Sequence, residues 1–133
     1  SNYLHLLDTL IDKGYKVSME TSGSIDISQV NKNVSIVMDL KTPSSTEQHQ
    51  NRYENIPLLE NKDQLKFVIA SRLDFDWCCS ILEGNEILSD VLFSPVYESL
   101  KPAELANWIL EKQINVRLQV QLHKILWGDE KGK

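Results

Sequence analysis

Hydrophobic and polar positions along the chain follow two periods, which predict helices and strands in turn. Apolar residues spaced three and four apart mark one face of a helix, whereas alternating or continuous runs of four to eight residues are typical of strands. The predicted helices cover residues 3–13, 73–83 and 102–112, and the predicted strands cover residues 17–20, 34–39, 64–70, 90–94 and 116–122.

This alternation of strands and helices predicts the fold class. The apolar run at residues 34–40 suits a strand that is buried on both faces, as strands of parallel sheets are. Gly14 is a natural end for the first helix, and Pro95 ends the fourth strand. Strands separated by helices imply crossover connections, so we expect an α/β fold with a mainly parallel sheet. The length of 133 residues suits a single domain spanning residues 1–133.

Net charge, the length of apolar runs and cysteine content narrow the functional classes to which the protein can belong. A net charge of -5 argues against a nucleic-acid surface, because phosphate binding requires clustered Lys and Arg. The longest apolar runs are far shorter than the roughly 20 residues of a membrane span, and the sequence shows no secretory signal. Cys78 and Cys79 are adjacent and lack metal-ligand spacing. We therefore expect a cytoplasmic protein with two reduced thiols, one of them buried.

Polar residues follow the predicted strands at corresponding ends. They are Glu20, Thr21, Ser22 and Gly23 after the first strand, Asp39, Lys41 and Thr42 after the second, Ser94 and Pro95 after the fourth, and Gln121, His123 and Lys124 after the fifth. Because parallel sheets bind ligands beyond the carboxyl ends of their strands, these residues predict one rim suited to a polar ligand. Taken singly, each residue could equally belong to a turn, a helix cap or a solvated strand end.

Other catalytic patterns are absent from the sequence. The three histidines do not have zinc-type spacing, and the chain contains no nucleophile elbow, P-loop or dinucleotide-binding glycine motif. Lys66 is an unusual charge inside the apolar third strand, and it could also extend to the sheet edge.

Six segments in order carry a resemblance to a known family. The segments "VSMETSGSIDIS", "VMDLKTPSS", "DQLKFVIASRLDFDW", "LFSPV", "LKPAELANWILE" and "VRLQVQLHKILWGDE" resemble the C-terminal part of 7-carboxy-7-deazaguanine synthases, which are radical S-adenosylmethionine (SAM) enzymes of the queuosine pathway. The resemblance implies a modified, incomplete β/α barrel that pairs as a homodimer or larger oligomer. It also implies a 4Fe-4S cluster, SAM, a magnesium ion, and conversion of 6-carboxy-5,6,7,8-tetrahydropterin to 7-carboxy-7-deazaguanine with loss of ammonia.

The resemblance assigns roles to individual positions. It places Glu20, Thr21, Ser22, Asp39, Lys41, Ser94 and Pro95 on the SAM side of the site, and Gln121 and His123 on the pterin side. Residues 39–41 match a triplet that reads Ser-Pro-Lys in many family members, so Lys41 fits the pattern and Asp39 departs from it. The resemblance assigns no catalytic residue and no metal ligand within this chain.

The family's cluster-binding CxxxCxxC loop and its Gly-Gly-Glu-Pro segment do not occur in these 133 residues, and the first residue is Ser. We therefore expect a C-terminal portion that supplies SAM and substrate walls, binds no cofactor stoichiometrically on its own and is inactive alone. Two alternatives stay open. One is a non-catalytic α/β module that binds a small molecule, and the other is a structural or interaction domain whose polar strand ends only form turns.

Overall fold

The computed structural model describes residues 2–121. The helices are α1 (Asn2–Asp12), α2 (Arg72–Gly84) and α3 (Pro102–Lys112), and the strands are β1 (Ser18–Ser22), β2 (Ser35–Asp39), β3 (Gln64–Ile69), β4 (Asp90–Pro95) and β5 (Arg117–Leu118). Three short 3-10 turns lie between β2 and β3, at Pro43–Ser45, Gln48–Gln50 and Tyr53–Leu58. Within this described part, no helix has the length and apolar content needed to cross a membrane.

The five strands form one sheet in the order β1-β2-β3-β4-β5, and every neighbouring pair is parallel. Helices α2 and α3 connect β3 to β4 and β4 to β5, while irregular chain connects β1 to β2 and turns connect β2 to β3. The predicted α/β class and parallel sheet are confirmed. Closure of the sheet into a barrel stays a prediction.

One face of the sheet packs against all three helices. Burial alternates along β2 and β3, so that Met38 and Phe67 are buried while their sequence neighbours are half-buried. Leu7 of α1, Phe75 of α2 and Leu105 of α3 join the same core cluster. The strand at residues 34–40 thus has one buried and one half-buried face, rather than the two buried faces expected, because the helices gather on one side. We call the half-buried side the open face.

The helix ends follow from local chemistry. Gly14 lies just beyond α1 with φ of +89°, a left-handed conformation that favours glycine, and so ends the helix as predicted. The Ser71 side chain accepts a hydrogen bond from Asp74 N at 3.2 Å and caps α2. Pro102 opens α3, where a missing backbone N–H costs nothing.

The last strand is shorter than predicted. Only residues 117–118 pair with β4, against a predicted strand over residues 116–122 whose final residue lies outside the described range. Leu118 and Val120 are 38% and 37% exposed, so the alternating apolar side of this segment is only partly buried. Apolar alternation thus predicted the strand correctly but overestimated its length, because alternation shows which residues can pair and not how far the pairing with β4 extends.

Aromatic rings fill the centre of the helix-side core. The ring of Phe67 meets that of Phe93 edge to face at a centroid distance of 5.7 Å, and that of Trp77 at 6.2 Å. Phe75 meets Phe93 in the same manner at 5.9 Å. Such pairs add stabilisation beyond the area that the rings bury.

Replacement of Phe67 by Ala is expected to lower the free energy of unfolding by about 3–5 kcal/mol, because it leaves a cavity among rings that are fully buried. Urea denaturation measures this difference. Leu110→Ala serves as the control, since Leu110 is 72% exposed and its truncation should change stability by less than about 0.5 kcal/mol. Equal losses in the two variants would contradict the described core.

The edge position of β1 leads to a prediction about assembly. Within the described sheet β1 pairs with β2 alone, so its other side presents unpaired backbone groups. We expect a homodimer or larger oligomer that covers this edge. Size-exclusion chromatography with light scattering, run over a range of protein concentrations, measures the mass, and a monomer at the highest concentration would contradict the expectation.

Candidate functional site

Polar residues at the ends of β1 and β2 meet on the open face. The parallel register pairs Ser22 with Asp39 and Asp39 with Lys66. Paired residues of neighbouring strands point to the same face, and alternate residues along one strand share a face, so Glu20 joins these three. Together with Thr21, Val37 and Lys41 they line a cleft of about 240 Å³.

A second cleft lies beyond the carboxyl ends of β2 and β3 and has a volume of about 380 Å³. Its lining combines an apolar part (Leu40, Val68, Ala70 and Val96) with a polar part (Asp39, Lys41, Thr42, Ser44, Ser45 and Ser99). Small-molecule sites usually measure roughly 300–1,000 Å³ and combine these two kinds of surface. Asp39 and Lys41 line both clefts, so the two clefts adjoin at this pair, and we treat them together as the candidate site.

Asp39 and Lys41 form an ion pair at the junction of the clefts. Lys41 Nζ lies 3.2 Å from Asp39 Oδ2, and the two side chains are 30% and 32% exposed. Ion pairs with this much solvent access contribute little to stability. Their side chains present an ammonium and a carboxylate to the site, so a ligand carrying both charges could bind to the two groups.

The turn after β1 packs tightly against the end of β2. Gly23 N donates a hydrogen bond to Asp39 O at 2.9 Å, and a Cβ atom at Gly23 would lie 2.8 Å from Leu40 Cδ1. A side chain at this position would therefore require the buried Leu40 side chain to shift. Ser24 N donates a hydrogen bond to Ser22 Oγ at 3.2 Å. Ser22 therefore also stabilises the turn, in line with the alternative that these polar residues belong to a turn.

Two asparagines anchor the loop between β2 and β3 to the site. Asn51 Oδ1 accepts a hydrogen bond from Lys41 N at 2.9 Å, and Asn51 Nδ2 donates to Lys41 O at 2.8 Å. Asn55 is buried, donates to Ile25 O at 2.6 Å and accepts from Ile27 N at 3.3 Å. Sequence reasoning missed both residues. Their only signal was the residue type, since asparagine amides often bond to backbone groups.

A buried carboxylate fixes the wall of the larger cleft. Asp74 is fully buried, and its two oxygens accept hydrogen bonds from Ser44 N and Ala70 N, each at 2.9 Å. It thereby joins the start of α2 to the end of β3 and to the first 3-10 turn. The sequence predicted an Asp near the start of this helix, but not this role.

The remaining predicted site residues differ in whether they lie near a cleft. Ser94 and Pro95 end β4 beside Val68 and Ile69, which places Ser94 on the open face next to a residue of the larger cleft. Gln121 is exposed beyond β5 and is not part of the lining of either cleft. His123 and Lys124 lie outside the described residues.

The two cysteines lie away from this site. Cys78 and Cys79 are both buried on α2 and belong to the helix-side core cluster. Burial, reinforced by the neighbouring Asp74 carboxylate, raises the pKa of the Cys78 thiol, and burial also raises the pKa of Cys79. Among residues 2–121, no group of three His, Cys, Asp or Glu side chains could hold a metal ion. Two neutral core thiols do not fit an iron–sulfur cluster, which needs accessible thiolates.

A parallel sheet with flanking helices places the chain in the α/β class, with a polar cleft at the position where such sheets commonly bind ligands. The chain is 34% identical to the 7-carboxy-7-deazaguanine synthase of Koribacter versatilis, over 93% of this chain and 62% of that protein. It is 35% identical to the enzyme of that name from Chlorobaculum tepidum (94% and 59%) and 33% identical to that from Leptospira interrogans (86% and 50%). No family model and no solved structure matches the chain.

These relatives confirm the resemblance that the six sequence segments indicated. Nearly the whole chain is similar to 7-carboxy-7-deazaguanine synthases, but it spans only 50–62% of the length of these three relatives. Such partial coverage is consistent with the expected C-terminal portion.

The raised pKa of Cys78 predicts how stability depends on pH. Above about pH 8.5, the ordinary pKa of a cysteine, the unfolded chain releases this proton while the folded chain retains it. The unfolded state is then favoured, so the contribution of Cys78 to stability is complete below that pH and is lost as the pH rises.

Thermal unfolding between pH 7.5 and 10 should therefore show a steeper loss of midpoint temperature in the wild type than in Cys78→Ala. The comparison uses the slope with pH, because the variant also leaves a small cavity that lowers the midpoint at every pH. Parallel slopes in the two proteins would contradict the assignment.

Proposed function

We propose that the chain is the C-terminal part of a 7-carboxy-7-deazaguanine synthase. The parent enzyme would be a radical SAM lyase that converts 6-carboxy-5,6,7,8-tetrahydropterin to 7-carboxy-7-deazaguanine in queuosine biosynthesis. The observation that carries the proposal is the double cleft around Asp39 and Lys41, in a chain whose relatives bear this name. In this proposal the chain supplies walls for SAM and for the pterin.

The chemistry of the clefts supports a SAM wall. The amino-acid part of SAM carries an ammonium and a carboxylate, which complement the carboxylate of Asp39 and the ammonium of Lys41. Thr21 and Ser22 place hydroxyls beside this pair, and hydroxyls can both donate to and accept from a ribose. Glu20 extends the same wall, and Ser94 with Pro95 would extend it from β4.

The substrate wall is proposed from the resemblance. The resemblance assigns Gln121 and His123 to the pterin side of the site. A glutamine amide can donate and accept hydrogen bonds, as the edge of a pterin ring requires. Lys66 lines the smaller cleft on β3, the strand between β2 and β4.

The remaining cofactors of the parent enzyme would be a 4Fe-4S cluster and a magnesium ion. We assign neither to this chain, because its two thiols are buried in the helix-side core. No catalytic residue and no metal ligand is assigned here. The proposed enzyme is cytoplasmic, forms a homodimer or larger oligomer, and has small-molecule partners rather than nucleic acid or a membrane.

A non-catalytic binding module is the second candidate. The positions of the cleft and of the thiols favour this candidate. The described residues form a ligand cleft, whereas both thiols are buried away from it. Titration of the iron-free chain with SAM distinguishes the candidates. Tight binding without any cluster would favour the module, whereas weak binding would favour the enzyme part, in which SAM is held partly by the cluster.

Anaerobic reconstitution with iron and sulfide tests the proposed function. This chain alone should bind no stoichiometric iron and form no deazaguanine, because a cluster needs three or four well-placed thiolates. Metal analysis and a turnover assay provide the measurements. About four irons per chain together with product would contradict the proposal.

A second experiment adds to this chain an N-terminal segment of a relative that contains the CxxxCxxC loop. Product formation should then appear, and Lys41→Ala should raise the SAM concentration needed for half-maximal rate. The matched control is Lys16→Ala, which removes an exposed lysine outside both clefts. Equal effects of the two substitutions would remove Lys41 from the SAM wall.

A further inference from the structure

We propose that Asn51 is a positioning residue that holds Lys41 in place at the junction of the two clefts. The contribution of Lys41 to SAM binding rests on the function proposed above. The positioning itself rests on the geometry of the loop between β2 and β3, so the two can be tested separately.

A single amide group satisfies both backbone groups of Lys41. Asn51 Oδ1 accepts from Lys41 N at 2.9 Å, and Asn51 Nδ2 donates to Lys41 O at 2.8 Å, ten residues away along the chain. A primary amide offers one acceptor and two donors in one plane, so it can bond to the N–H and the C=O of the same residue. Each strand of a sheet offers its neighbour the same combination of groups.

The Asn51 amide stands in for a neighbouring strand at Lys41, because β1 ends before it reaches this residue. The last register pair between β1 and β2 joins Ser22 to Asp39, so β1 offers no partner at Lys41. On the other side of β2 pairing continues, since Leu40 N donates to Lys66 O at 3.0 Å. Asn51 therefore takes the place of β1 at Lys41 and extends the ordered backbone of β2 to the residue that carries the ammonium.

Contacts independent of Lys41 hold Asn51 itself. The adjacent Arg52 N donates to Gly23 O at 2.8 Å, and Asn51 N donates to Gln48 O at 3.1 Å. Asn51 is thus tied both to the turn after β1 and to its own loop. An anchor fixed in this way can restrict the Lys41 backbone, and so fix the point from which its side chain reaches Asp39, whose Oδ2 lies 3.2 Å from Lys41 Nζ.

Asn51 would act through Lys41 and not by contact with the ligand. The lining of both clefts includes Lys41 but not Asn51. Its removal should therefore affect ligand binding only as long as the Lys41 side chain is present. A general weakening of the loop would instead affect binding in either background.

Hydrogen exchange of the Lys41 amide, followed by NMR in this chain, tests the positioning directly. Asn51→Ala should speed exchange at Lys41 about tenfold or more relative to the Phe67 amide, which reports global opening. Asn33→Ala is the control, since it removes an exposed asparagine and should leave the ratio unchanged. An unchanged ratio in Asn51→Ala would overturn the proposal.

Asn51→Asp keeps the test decisive if the alanine variant does not fold. Its carboxylate can still accept from Lys41 N but cannot donate to Lys41 O. The Lys41 amide should then stay protected, while the backbone carbon signal of the Lys41 carbonyl shifts as its donor is lost. Exchange at Lys41 as fast as in an unfolded chain, with Phe67 still protected, would overturn the described bond.

A double-mutant cycle in the reconstituted enzyme tests the functional consequence. Asn51→Ala should raise the half-saturating SAM concentration about tenfold, but less than about twofold when Lys41→Ala is already present. Fully additive effects would overturn action through Lys41. If Lys41→Ala has no effect on SAM, the proposed role of Lys41 fails, and the exchange ratio alone decides whether Asn51 positions it.

Discussion

In-register parallel pairing places the carboxyl ends of β1 and β2 level with Lys66 in the middle of β3, and the candidate site depends on this. Ser22, Asp39 and Lys66 come from segments far apart in sequence, yet the register sets them in one row. Because side chains alternate with a period of two, a slip by one residue would turn the row towards the helices. The apolar residues of the other face prevent such a slip, since it would expose Met38 and Phe67.

One-sided packing determines the polarity of the open face. The three helices cover the face that carries Met38 and Phe67, and the half-buried alternate positions can then carry Asp39 and Lys66. Charges at this depth keep part of their hydration, so they avoid most of the cost of full burial. They still act in a medium less polar than water, which strengthens their attraction for a charged ligand. The same packing thus supports both the core and the site.

The sequence allowed the fold to be predicted more completely than the site. Helices and strands depend on local periodicity, and their predicted bounds agree with the structure within a few residues, except for β5. The strand-end residues followed from the general rule for parallel sheets. Asn51, Asn55 and Asp74 could not be predicted, because each has a backbone partner that lies ten or thirty residues away along the chain. No periodicity marks such contacts, and polar loop residues look alike until the fold brings their partners near.

The two cysteines show how the chemistry is divided along the proposed enzyme. A cluster ligand must be a thiolate that can reach iron, whereas the environment of Cys78 favours the neutral thiol. To serve as ligands, Cys78 and Cys79 would have to leave the core that α2 shares with Phe67 and Phe93. That rearrangement would dismantle the face that sets the strand register, and with it the row that contains Asp39. In the proposed enzyme, the ligand walls and the cluster ligands would therefore come from different parts of the protein.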